Sequence, residues 1–326
     1  MTRIGFLTRA AVGALIVLLL AEAVLATIDR KLPEPVEWYN PLAQAKAVQI
    51  ERLARSEAAD VVFVGPSTVF RGIDPDMFER RDPLRREAYN AGLTGGFPPI
   101  MRRWVTEEVL PKLQPRTVVY GLSSLDFHDR IFRGSVDAYR TALATRKGTL
   151  AATERLAARY SRLFRYRRLF QDPTEYTYIR RVVAGKAPGR VEREIRTLSE
   201  DGFRPKQDVD RDRRDTDRAI LRRFQVGPRG TKDVTRLVRY LQRRDIDVVF
   251  VEMPVPRRWR ALHPRGDADH RRFERHLRSL AHELSVPLLR PPEGLTRSRL
   301  FADNLHMNRR GARELTRWLV SRLATR

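Results

Sequence analysis

Four short apolar runs, each bounded by turn-forming residues and separated by helix-like stretches, leave this chain few folds to adopt. They are residues 61–64, 117–120, 248–251 and 286–289. The first three are almost continuously apolar and rich in Val, as expected of strands buried on both faces of a parallel sheet. The segments between them carry apolar residues at helical spacing, over residues 44–55, 99–110, 231–243, 271–283 and 310–323. In residues 99–110, Met101, Trp104, Val105 and Val109 mark the apolar side. Glu107 and Glu108 fall toward solvent, with Pro111 and Pro115 closing the helix. Pro287 lacks an N–H and places the last run at a sheet edge or strand end. This alternation predicts an α/β fold, a three-layer α/β/α sandwich around a mostly parallel sheet. Ligands of such sheets sit beyond the carboxyl ends of the strands.

Two regions depart from the alternation. Residues 132–230 read as a largely helical insertion, with helical spacing in 151–170 and a highly charged run in 208–223. At the amino end, Arg3 and Arg9 precede an apolar stretch running to Ile28. It is long enough for one membrane span, which needs about 20 residues. Glu22 interrupts it, at about 2.5–3.5 kcal/mol in mid-bilayer but less near the headgroups. Two readings stay open: an uncleaved transmembrane helix, or a signal peptide cut after a small-residue site such as Ala21-Glu22-Ala23. Arg3 and Arg9 favour a cytoplasmic amino terminus, which puts the large domain outside a bacterial-type cell membrane. The expected organisation is therefore residues 1–30 as anchor or signal, 31–58 as a Pro-rich tether and lead-in helix, and 59–326 as the α/β domain.

The chain has 64 Lys and Arg against 40 Asp and Glu, a formal charge of +24, and Arg supplies 57 of the 64. Such a surface attracts polyanions and anionic lipid. Nucleic acid is not the expected partner, because the basic residues are dispersed and no reader module accompanies them. Cysteine is absent, which excludes disulfides and thiol chemistry.

Four short segments carry candidate chemistry. Ser67 follows the first run through Gly65 and Pro66; Gly65 permits a sharp turn, and a helix opening at Thr68 sets the Ser67 N–H among unbonded amides. By itself Ser67 is equally a helix cap. Asn90-Ala91-Gly92-Leu93-Thr94-Gly95 is a glycine-rich loop whose backbone can aim an N–H at a reacting oxygen, while Asn90 can lock the loop. Gly121-Leu122-Ser123-Ser124 offers hydroxyls at the end of the second run. Asp303-Asn304-Leu305-His306 places an acid and an imidazole three residues apart, the pair needed to deprotonate a serine and fix the base's tautomer. With no Cys and no second His nearby, this pair predicts neither a metal nor a cofactor.

In order and spacing these segments resemble the SGNH (GDSL-like) hydrolase superfamily over most of residues 60–326. The resemblance implies Ser67 as nucleophile, His306 as base, Asp303 as its orienter, and Ser67 and Gly95 as backbone oxyanion donors, with Gly65 and Asn90 in support. Two positions depart from the pattern. Pro66 stands in place of the Asp of Gly-Asp-Ser. The third block has no Asn, so Ser123 or Ser124 would take the remaining donor role. In flavour the chain is similar to membrane-anchored acyl-handling members, such as the D-alanyl transfer and alginate O-acetylation proteins. The implied function is an extracytoplasmic serine O-acyltransferase or esterase, acting on acyl esters of an envelope or exported polysaccharide. Its expected partners are the membrane, an anionic glycan and a membrane acyl-donor protein. The alternative is a catalytically weak or inactive scaffold or polysaccharide-binding protein on the same fold.

Overall fold

The computed structural model describes residues 3–28, 40–56, 59–129, 156–157, 160–166, 184, 190–206 and 214–324. The expected tether over residues 31–39, and much of the expected insertion over residues 132–230, lie outside them. The chain divides into two units, residues 1–39 with 144–193 and residues 40–143 with 194–326.

In the first unit a 26-residue helix, Arg3–Ile28, contains the apolar stretch Arg9–Thr27, with a mean hydropathy of 2.3 and side chains that are almost all exposed. By length and composition it can cross a membrane, and a signal sequence meets the same test. Glu22 has partners within the unit. Its carboxylate accepts from Ser161 Oγ and from the backbone N–H groups of Arg162 (2.9 Å) and Leu163 (3.1 Å). It thereby satisfies donors at the start of the short helix Arg162–Arg165, which have no intrahelical acceptors.

In the second unit five parallel strands form one sheet: β1 (Val61–Val64), β2 (Ala88–Asn90), β3 (Thr117–Leu122), β4 (Asp247–Glu252) and β5 (Leu288–Leu289), in the order β2-β1-β3-β4-β5. Val62 of β1 pairs with Tyr89 of β2 and Val118 of β3, and Val118 with Val248 of β4. β1 is buried along its whole length, as expected for a strand covered on both faces. Successive side chains alternate between faces. Val61, Phe63, Val119, Val249 and Val251 pack on Leu315, Leu319 and Leu323 of the last helix, Arg309–Leu323. Beyond the other face, the helices Pro98–Trp104 and Pro228–Gln242 pack on each other, and the latter contacts β4. β5 is an edge strand, and Pro287 serves it through its carbonyl, which accepts from Phe250 N at 2.8 Å.

One helix corrects the expectation. After Pro98–Trp104 the backbone winds as a π-helix over Val105–Val109, then continues as Leu110–Leu113. Pro111 therefore lies inside the helical run, which ends at Gln114 with φ +45°. The wider π turn shifts the register of the faces. Glu108 is buried instead of solvated, and its carboxylate pairs with Lys112.

The strand order creates a switch point. The connection leaving β1 runs to β2 on one side and the connection leaving β3 runs to β4 on the other, so the two diverge at the carboxyl ends of β1 and β3. A crevice forms there in sheets of this order. Ser67 follows β1 at that point.

Candidate active site

Three features bring the Ser67 turn into place. Gly65 has φ +149°, and a Cβ there would lie 2.5 Å from Val69 Cγ2 and 2.6 Å from the Gly121 carbonyl. Only glycine lets the ends of β1 and β3 approach this closely. Ser67 then opens the helix Ser67–Gly72 with Pro66 as its N-cap. Asn90, fully buried at the end of β2, holds that helix from below. Its Nδ2 donates to the carbonyls of Val69 (3.0 Å) and Ile73 (2.7 Å), and its Oδ1 accepts from Gly92 N (2.9 Å). The glycine loop is bound to the same turn, with Leu93 N donating to the Gly65 carbonyl at 3.0 Å. Gly95 sits in this loop with φ +68°, a left-handed conformation suited to glycine.

The acid–imidazole pair arrives on a closed turn. Phe301 and Met307 form an antiparallel bridge, and Ala302 N donates to the His306 carbonyl at 2.9 Å. Asn308 then caps the last helix, its Oδ1 accepting from Gly311 N at 2.9 Å. Within the turn, Asp303 Oδ1 accepts from the N–H groups of Leu305 (2.9 Å) and His306 (2.7 Å). His306 Nδ1 lies 2.9 Å from Asp303 Oδ2 and 3.1 Å from Oδ1. Its Nε2 lies 2.8 Å from Ser67 Oγ, across 239 residues of sequence. The structure thus brings Ser67, His306 and Asp303 into one relay.

Electrostatics hold Asp303 ionised. Burial works to raise its pKa, but the hydrogen bonds and charge of His306, and the bond from Lys206, outweigh it and keep the carboxyl well below the usual range. Lys206 pairs directly with Asp303 Oδ2, and Arg258 Nη2 donates to the Asp303 carbonyl at 2.6 Å. Asn304 Nδ2 donates to Asp217 Oδ2 at 2.8 Å, on the helix Arg214–Leu221. Lys206 and Asp217, at the end of the expected insertion, therefore border the relay. Nothing local in the sequence points to Lys206 or Arg258, which lie 97 and 45 residues from Asp303.

The third block is arranged differently from the expectation. Ser123 Oγ and Ser123 N both bond Asp126 Oδ2, at 2.8 and 2.7 Å, as a capping box at the start of the 3₁₀ turn Ser124–Phe127. Ser124 Oγ bonds His263 Nε2 at 3.0 Å, and both serines are buried. Neither hydroxyl bonds a member of the relay. Burial pushes the Asp126 carboxyl up to about 7, against the lowering effect of the bonds from Ser123. The Ser-x-x-Asp spacing was a legible signal for this cap.

Glu252, His270 and Glu274 place metal-ligand atoms within 4.8 Å of one another. Arg290 already occupies the cationic role there, 2.9 Å from Glu252 Oε2 and 3.3 Å from Glu274 Oε1.

Fold and site together define a parallel α/β protein with a Ser–His–Asp relay at the carboxyl edge of its sheet. No family model and no curated protein matches the chain. Among solved structures it is similar to a Bacteroides fragilis protein described as an acylhydrolase (11% identity, 86% of this chain and 98% of that one, TM-score 0.43). An acetyl xylan esterase gives 13% identity, 81% and 99% coverage and a TM-score of 0.40. A GDSL-like lipase from Bacteroides thetaiotaomicron gives 11% identity, 86% and 98% coverage and a TM-score of 0.40.

Proposed function

We propose that this chain is a serine-dependent acyltransferase or ester hydrolase. The observation that carries the reading is the 2.8 Å approach of His306 Nε2 to Ser67 Oγ, with Nδ1 held by an ionised Asp303. Asp303 fixes the tautomer that leaves Nε2 free to accept a proton. Ser67 Oγ attacks an ester carbonyl as His306 takes its proton. The N–H groups of Ser67 and Gly95 receive the oxyanion, and neither has an acceptor among the described residues. His306 then protonates the departing alcohol, leaving an acyl group on Ser67. A second hydroxyl, deprotonated by His306, attacks the acyl-enzyme and regenerates the serine. A sugar hydroxyl gives transfer and water gives hydrolysis.

The helix Arg3–Ile28, with Arg3 and Arg9 on the cytoplasmic side, anchors the domain outside the membrane, where an acyl donor and an envelope or exported polysaccharide meet. A signal peptide that is cleaved would release the same domain. The commitment of the Ser123 and Ser124 hydroxyls elsewhere favours a second reading, a binding protein that has lost turnover. An active-serine phosphonate probe separates the two. Labelling at Ser67 that disappears in H306A supports the enzyme, and absence of labelling in a folded wild type refutes it. A reporter fused to the carboxyl end reads the topology.

A further inference from the structure

The helix that carries Ser67 also carries Arg71, four residues on and therefore on the same face. The Arg71 guanidinium stacks on the buried Phe70 ring, 4.4 Å from its centroid, and donates to the neutral carbonyl of Arg204 at 3.2 Å. Arg204 lies over the same ring at 5.4 Å and pairs with Glu194 at 2.7 Å. Lys46, fully buried, approaches the ring to 4.5 Å and donates to the Asn90 carbonyl. Across the relay stand Lys206, on the Asp303 carboxylate, and Arg258, on the Asp303 carbonyl.

Among the described residues, five basic side chains thus gather near Glu194 and Asp303, with Asp217 bonded to the neighbouring Asn304. Among the described residues neither Arg71 nor Arg258 has a carboxylate partner. The crowding is felt by the protons: burial and Arg204 push Arg71 down to about 10 against the weaker pull of Glu194 and Asp303, and burial, Arg204 and Arg71 push Lys46 well below its usual value. A half-buried guanidinium with no carboxylate bonded to it is unfavourable. Arg71 is nevertheless open to solvent, as are Arg204 (21% of its side chain), Lys206 (26%) and His306 (18%). A bonded carboxylate, which Arg71 lacks among the described residues, can therefore be replaced by an anionic ligand reaching it from solvent on the Ser67 side of the helix.

We infer that Arg71, flanked by Arg204, seats an anionic group of the substrate. The substrate of Ser67 is then an acylated polyanion whose carboxylate or phosphate lies one helical turn from the reacting ester. The inference rests on the acyl-transfer reading for the role of Ser67, but not for the binding itself. A planar guanidinium suits both anions, so the source is left to the assay.

The test uses the full chain in detergent and three acetylated oligomers: a neutral xylo-oligosaccharide, an oligouronate and a glycerol-phosphate oligomer. The unacylated oligomers are titrated calorimetrically into S67A. Arg71→Gln is expected to lower kcat/KM on at least one anionic ester by about tenfold or more beyond its effect on the neutral one, chiefly through KM. Arg71→Lys keeps the charge and is expected to retain part of the preference. In wild type, high salt is expected to erase the preference, a readout that needs no variant. Which oligomer responds, oligouronate or glycerol phosphate, identifies carboxylate or phosphate as the bound group. Equal losses on neutral and anionic esters overturn the inference, as does the absence of oligoanion binding to S67A. If wild type turns over no ester, the acyl reading falls alone. The titration still decides the anion site, which stands if binding is abolished by Arg71→Gln and falls if it is not.

Discussion

Replacing Asp303 by Asn tests the relay at the point where its hydrogen bonding is most crowded. Oδ1 accepts from the N–H groups of Leu305 and His306, at 2.9 and 2.7 Å, and Oδ2 accepts from Lys206 and from His306 Nδ1 at 2.9 Å. All four partners donate, and an amide offers only one oxygen. If its NH₂ group takes the Oδ1 place, it meets two backbone N–H groups, each orphaned at about 1–3 kcal/mol. If the NH₂ takes the Oδ2 place, the backbone bonds survive, but the amide now donates toward Lys206 and His306 Nδ1. Nδ1 can satisfy that donor only by giving up its own proton, which moves to Nε2. The second arrangement disturbs less backbone and is the expected one. It leaves Nε2 protonated against Ser67 Oγ, unable to act as base. The expected outcome is a folded D303N protein whose kcat/KM on an activated acetyl ester falls about 10³–10⁴-fold, equal to about 4–5 kcal/mol of transition-state stabilisation. Nitrogen-15 shifts of the His306 ring should show the proton on Nε2. If D303N keeps more than about a tenth of wild-type kcat/KM, a loss of under about 1.4 kcal/mol, Asp303 does not set the tautomer and the reasoning fails.

Two further perturbations read the titrations. The Asp303 pKa is depressed in the folded state, so its contribution to stability is present above the unfolded value near 4 and is lost as pH falls through the folded value. Lys206→Met weakens that depression. The variant should be roughly 1–2 kcal/mol less stable than wild type at pH 7, a value between those of exposed and buried pairs, and the gap should begin to narrow below about pH 4 and shrink further as pH falls toward the folded value. A gap independent of pH would exclude the pairing as its cause. Asp126 has the opposite sign: with its folded pKa raised to about 7, its contribution is complete below about pH 4 and is lost as pH rises through 7. Asp126→Asn should flatten the decline in wild-type stability over that window, and parallel denaturation curves for the two proteins would contradict it.

The sequence carried the parts of this site that depend on local order. A β-branched run predicts β1, its Gly-Pro-Ser ending predicts a turn, and Asp303 and His306 lie close enough to share one loop. The 2.8 Å contact between Ser67 and His306 needs the strand order as well, in which β2 beside β1 makes the switch point, and that the sequence did not show. What escaped depends on long-range packing. β2 is three residues long, Ala88-Tyr89-Asn90, with no β-branched residue to announce it. Lys206 reaches Asp303 from a segment with no regular pattern. Glu108 turns inward because five residues wind as a π-helix, a choice no periodicity within those residues dictates. Asp126 was legible as the end of a capping box, yet a reading that took Ser123 only as a hydroxyl donor had no place for it.

That last point separates two explanations of the Asn-less third block. If Ser123 or Ser124 supplied an oxyanion donor, its loss would cost about 2.7–4 kcal/mol in the transition state, roughly a hundred- to a thousandfold in kcat. The geometry supports the other explanation. Ser123 Oγ is spent on Asp126 Oδ2, and Ser124 Oγ on His263 Nε2, inside a buried cluster where Phe224 packs edge-on against His263. Removing the first hydroxyl takes away half of a cap, worth about 0.5–2 kcal/mol of folding stability. Removing the second leaves a buried imidazole nitrogen without its partner, worth about 1–3 kcal/mol. S123A and S124A should therefore melt earlier than wild type while kcat on an acetyl ester changes by less than about threefold, well short of a lost donor. A hundredfold fall in kcat at unchanged stability would return the serine to the oxyanion site. The expected pattern would instead leave the backbone N–H groups of Ser67 and Gly95 as the donors, with the third block serving to hold the end of β3 in place.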